Sequence, residues 1–83
     1  MTMWHNFVKG GGIMTFRLKE LRKKRKKSQV SLGIDLGVSQ DAISRYENLE
    51  READYQTLIE IADFFNVSLD YLFGRTDNPE INK

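Results

Sequence analysis

Between Ser28 and Asn48, two short stretches of helical period are separated by only three residues, Gly37-Val38-Ser39. Leu32 and Leu36 lie four apart on the first stretch, and Ile43 and Tyr46 lie three apart on the second, so each carries one apolar stripe. Glycine takes the positive φ that closes a helix at little cost, and a serine two residues later can cap the next one. Two helices joined so tightly hold a rigid angle. Leu32, Leu36, Val38, Ile43 and Tyr46 form the wedge that fixes it. Gly33 falls at the crossing, where a small residue lets the backbones approach, although glycine costs about 1 kcal/mol relative to alanine in a helix interior.

The same pattern continues on both sides. Upstream, Leu18 and Leu21 sit on one face of a helix whose other positions are charged, and Ser28 caps the helix that follows. Downstream, a helix runs from a cap at Asp54 to Phe65 with Leu58, Ile61, Ala62 and Phe65 inward, the clearest amphipathic stretch in the chain. Asn66 closes it. Ser68 caps a short fifth helix that Gly74 ends, with Leu69, Leu72 and Phe73 expected inward. No stretch shows sustained alternation of period two. The fold class is therefore all-α, five short helices over residues 14–75. A C-terminal tail, 76–83, is expected to fray. Residues 1–13 carry three consecutive glycines and no helical period, and read as a flexible extension. Glycine codons ahead of Met14 resemble a ribosome-binding site, so this segment reads as translated leader; a vector-derived tag and a genuine arm are the other readings.

Charge is distributed with strong polarity. Met14 to Val30 holds eight basic residues against Glu20 alone, a net +7, whereas Glu47 to Glu80 holds nine acids against Arg51 and Arg75, a net −7. Such a split implies a basic face for a polyanion, or else only the solvated side of a helix. The chain has no cysteine, which excludes disulfide staples and thiolate metal sites and favours the cytoplasm. No apolar run approaches the roughly twenty residues that span a membrane. His5 is the one histidine, with no ligand cluster beside it, and no nucleophile–base constellation or phosphate loop is visible. Neither catalysis, a metal, a cofactor nor a small-molecule ligand is expected.

The segment Gln29-Val-Ser-Leu-Gly-Ile-Asp-Leu-Gly37-Val-Ser-Gln-Asp-Ala-Ile-Ser-Arg-Tyr-Glu-Asn48 resembles the helix-turn-helix of the phage Cro and lambda-repressor type, the XRE-like family. The likeness extends from about Phe16 to Arg75 and includes Thr57 to Gly74. It implies a five-helix lambda-repressor-like domain that binds double-stranded DNA with its third helix in the major groove. It places base readers at Gln40, Asp41, Ser44 and Arg45. Chemistry agrees for two of them: glutamine can fork adenine, and arginine guanine O6 and N7. Asp41 could accept from a cytosine amine or simply favour the helix N-terminus. By the same resemblance Gln29 and Ser39 bond phosphate at helix N-termini, with Asn48 a further backbone contact and Lys26 and Lys27 adding salt-sensitive attraction.

Three further expectations follow. The resemblance pairs Arg22 with Glu47 in a partly buried bridge. It also implies a homodimer formed through the region of the fifth helix, where Phe64, Tyr71 and Phe73 are more aromatic surface than a small core easily hides. Finally, glycine usually stands near Lys26 and near Leu49 in the family, so both turns are expected to differ or to carry strain, and alanine usually stands at Gly33. The acidic loop Leu49 to Ala53 also departs from relatives that carry bases there. The function implied is a sequence-specific transcriptional regulator of repressor type. The alternative is a protein-interaction module, such as a toxin-neutralising partner, that keeps the fold without DNA binding.

Overall fold

The computed structural model describes residues 16–81. The expected extension, residues 1–13, lies outside them. Among the described residues five helices follow one another: α1 (Leu18–Lys24), α2 (Gln29–Leu36), α3 (Gln40–Glu47), α4 (Tyr55–Phe65) and α5 (Leu69–Leu72).

Each start has a local cause. Ser28, Ser39, Asp54 and Ser68 each accept a hydrogen bond at 3.0 Å from the amide three residues on, Ser31, Ala42, Thr57 and Tyr71 respectively. These are the donors that a helix N-terminus otherwise leaves unpaired. Only α1 lacks a side-chain cap. Its leading residue, Arg17, instead donates its amide to the Leu72 carbonyl at 2.9 Å, which ties the start of α1 to the end of α5.

The ends are equally uniform. All five helices stop at a left-handed residue, namely Lys26 (φ 56°), Gly37 (74°), Leu49 (60°), Asn66 (57°) and Gly74 (76°). After each, the next amide reaches back to the last turn: Lys27 to Arg22, Val38 to Gly33, Glu50 to Arg45, Val67 to Ala62 and Arg75 to Asp70. This is the Schellman closure, which satisfies orphan carbonyls. Lys26 and Leu49, where the resemblance led one to expect glycine, keep the backbone that glycine would take. Of the two expectations for these turns, strain is the one that the left-handed φ of a residue with a Cβ supports.

Leu18, Leu32, Ile43, Ile61 and Leu72 are wholly buried, one from each helix. They form the centre on which the five elements converge. Leu36 and Val38 pack against it half-buried.

Two expectations are corrected. Leu69 is 39% exposed, whereas Tyr71 is only 9% exposed. In a four-residue helix the apolar spacing cannot decide which flank of Leu72 faces inward. The arrival of α1 decides it, because the Arg17 guanidinium lies 4.3 Å over the Tyr71 ring and its Nε donates to the Tyr71 carbonyl. Residues 76–81, expected to fray, fold back: the Pro79 carbonyl accepts from the Ser68 amide at 3.0 Å, and Asp77 pairs with Arg17 at 2.9 Å.

Candidate nucleic-acid interface

Ala42, Ile43 and Tyr46 bury one side of α3. Gln40, Asp41, Arg45 and Asn48 are exposed on the remainder, and Ser44 is half-buried at its margin. The attitude of this face depends on the crossing with α2. A Cβ added to Gly33 would stand 2.6 Å from the Val38 carbonyl oxygen, inside any normal contact. Glycine is thus required here by the close approach of the turn, at a position where alanine was expected from the resemblance.

Behind the face, Arg22 and Glu47 form a fork. Arg22 Nε donates to Glu47 Oε2 at 2.6 Å and Nη2 to Oε1 at 3.1 Å, with the two side chains only 10% and 1% exposed. Nη1 donates to the Lys27 carbonyl at 2.8 Å, so one guanidinium joins α1, the turn after it and the end of α3. The bond to Glu47 outweighs the cost of burial and holds Arg22 above its ordinary pKa.

The network extends outward to a reading position. Gln29 Nε2 donates to Glu47 Oε1 at 3.1 Å, and Gln40 Nε2 donates to Gln29 Oε1 at 2.8 Å. A carboxylate only accepts, so Gln29 must turn its nitrogen to Glu47 and its oxygen to Gln40, and Gln40 must answer with its nitrogen. What stays free on Gln40 is one oxygen and one N–H. These are the acceptor and donor that match adenine N6 and N7. On the same face Arg45 Nε donates to Asp41 Oδ2 at 2.9 Å, a bond that raises the guanidinium pKa.

The positions expected to meet phosphate fare differently. Ser39 Oγ accepts from the Ala42 amide, which leaves its hydroxyl proton available to an oxygen acceptor. The Gln29 side chain is engaged inside the network just described. Lys27, expected to add salt-sensitive attraction, has its Nζ paired with Asp35 at 2.8 Å and 5.7 Å above the Phe64 ring. Arg25 stacks over Phe64 and Phe65, and Arg17 is held by Asp77 and Glu20. Lys19, Lys23, Lys24 and Lys26 are exposed and have no ion-pair partner among the described residues. The free positive charge is thus carried by lysines, while the arginines of that run hold the fold.

The aromatic trio is likewise redistributed. Tyr71 is core, and Phe64 and Phe73 are half-buried, in contact with Phe65 and Phe16 respectively. Tyr71 is thus withdrawn from the surface, and Phe64 and Phe73 remain on it only in part. Sequence reasoning missed the Gln29–Gln40 bond, which depends on the angle between two helices. It also missed the Asp41–Arg45 pair, whose spacing of four was visible.

A helix-turn-helix family model matches residues 18–72. The chain belongs to the helix-turn-helix family. The helix-turn-helix domain is 41% identical over 64 residues to the uncharacterized HTH-type transcriptional regulator YqaE of Bacillus subtilis, covering 77% of this chain and 55% of that protein. It is 34% identical to the HTH-type transcriptional regulator ImmR of the same organism, with coverage of 81% and 53%. It is also 34% identical to the cryptic phage CTXphi transcriptional repressor RstR of Vibrio cholerae, with coverage of 77% and 57%. The chain spans about half the length of these curated relatives. Among solved structures it is similar to the P22 c2 repressor in complex with a synthetic operator. The TM-score is 0.65 and the identity 38%, over 69% of this chain and 86% of that one. The lambda-repressor-like all-α fold stands on that likeness, and the relatives named are transcriptional regulators.

Proposed function

We propose that this helix-turn-helix protein is a transcriptional regulator of repressor type that reads duplex DNA with α3 in the major groove. The observation that carries the reading is the exposed face of α3, where Gln40 and Arg45 are held in place with free base-matching groups. Similarity to a repressor solved on its operator supports the same orientation. Gln40, Ser44 and Arg45 face bases, with Asp41 bonded to Arg45 on the same face; Ser39, Asn48, the backbone at Gln29 and Lys26 face phosphate. One such module covers little DNA, so a homodimer on two half-sites completes the site. Among the described residues no helix is long and apolar enough to cross a membrane, and a cytoplasmic location accords with binding DNA.

Binding-site selection from random duplex DNA tests this. The expected result is a motif with two related half-sites, and the absence of any motif overturns it in favour of a protein-interaction module. Arg45→Ala is expected to lose preference at one base pair per half-site and about one to two orders of magnitude of specific affinity. Lys26→Gln weakens all duplexes alike and lowers the salt slope by about one.

A further inference from the structure

Asp41 is the least obvious member of the reading face, since a carboxylate beside phosphate costs affinity. Its place becomes intelligible through Arg45, one helical turn away. Arg45 Nε donates to Asp41 Oδ2 at 2.9 Å while the two side chains stand 51% and 71% exposed. At such exposure an ion pair adds little to the stability of a helix, so its consequence is geometric.

A guanidinium carries one donor on Nε and two on each terminal nitrogen, arranged as a rigid planar fork. Free arginine can approach a base by its side edge, through Nε and one terminal nitrogen, or by its end, through both terminal nitrogens. It can also swing away to grip a phosphate. With Nε committed to Asp41, the end of the fork remains. That end carries two parallel donors, the match for adjacent guanine acceptors N7 and O6. The negative charge of Asp41 also repels phosphate oxygens, which removes the non-specific alternative.

We infer that Asp41 is a positioning residue that sets Arg45 for end-on reading of one guanine and excludes its use as a phosphate clamp. This rests on the DNA-reading role proposed above. The inference makes Asp41 a source of specificity at the expense of affinity, in the way that repulsive elements sharpen discrimination elsewhere. It also pairs with the other side of the face, where Gln29 pre-sets Gln40. Both reading side chains are held by neighbours before DNA arrives, which lowers the ordering cost of binding.

The test is binding-site selection with wild type, Asp41→Ala, Arg45→Ala and the double variant, alongside urea unfolding of each. Wild type is expected to select guanine at one position per half-site, and Arg45→Ala to lose it. Asp41→Ala should lose about tenfold discrimination at that same base pair, while its affinity for unselected duplex rises. The double variant should match Arg45→Ala, because Asp41 acts through Arg45. Urea midpoints should stay near wild type, which separates positioning from a structural role. If guanine preference survives Asp41→Ala, or preference changes at a different base pair, Asp41 does not position Arg45 and the inference alone falls. A wild type that selects no motif overturns the DNA-reading role and this inference with it.

Discussion

At Arg22 one guanidinium bonds Glu47 twice and the Lys27 carbonyl once, all from a side chain 10% exposed. Replacing such a pair with apolar groups can be neutral, because desolvation offsets the attraction, but removing one partner strands a buried charge. Glu47→Ala and Arg22→Ala are each expected to cost about 3 kcal/mol or more. The double variant should lose much less than their sum, which urea unfolding of the four proteins reads as a coupling energy. Lys26 carries a different kind of cost. Its φ of 56° places a side chain in the left-handed region, disfavoured by about 1–2 kcal/mol for a residue with a Cβ. Glycine there relieves the strain but gives back part through unfolded-state entropy. Lys26→Gly should therefore stabilise by about 0.5–1 kcal/mol in urea, the net of these two terms. Lys24→Gly, two residues earlier inside α1, should destabilise by about 1 kcal/mol. The same exchange thus takes opposite signs according to φ.

At the level of elements, start and stop are separately specified. Four side-chain caps and five left-handed stops bound helices too short to be stable alone. Asp54 is the one charged cap. Its bonds to Thr57, side chain first and then backbone amide, hold its carboxyl below the usual carboxylate range. A lowered folded pKa contributes stability above the unfolded value, near 3.9, and loses it as pH falls through the folded value. Thermal unfolding between about pH 5 and pH 3 should therefore fall more steeply for wild type than for Asp54→Ser, which caps without titrating. Parallel curves would mean that the Asp54 carboxylate contributes no more than a neutral cap.

Across the whole molecule, charge and apolar surface are sorted by the packing. Four lysines of α1 and its exit have no ion-pair partner among the described residues, while Arg17, Arg22, Arg25 and Lys27 bind the chain to itself. If the protein pairs through α5, Leu69 is the exposed apolar contact and Tyr71 is not. Leu69→Asp should keep the urea midpoint near wild type and shift sedimentation at micromolar concentration to the monomer. Tyr71→Asp should instead unfold the monomer by about 3 kcal/mol, the cost of burying an unpaired polar group. A Leu69→Asp protein that keeps a dimer mass moves the interface elsewhere.

The caps at Ser28, Ser39, Asp54 and Ser68, the closures at Gly37, Asn66 and Gly74, and most of the core were legible in the residues alone, whereas the start of α1 and the stops at Lys26 and Leu49 were not. Those features depend on neighbours within a turn or two, and local propensity and period act over that range. The readers on α3 were legible as a face. Tertiary structure decided what joins separate elements: that Tyr71 and not Leu69 turns inward, that Gly33 admits no Cβ, that Lys27 is held by Asp35, and that Gln29 orients Gln40. Each depends on the angle and distance between two helices. That geometry is set by how the five buried side chains, one from each helix, fill a single volume.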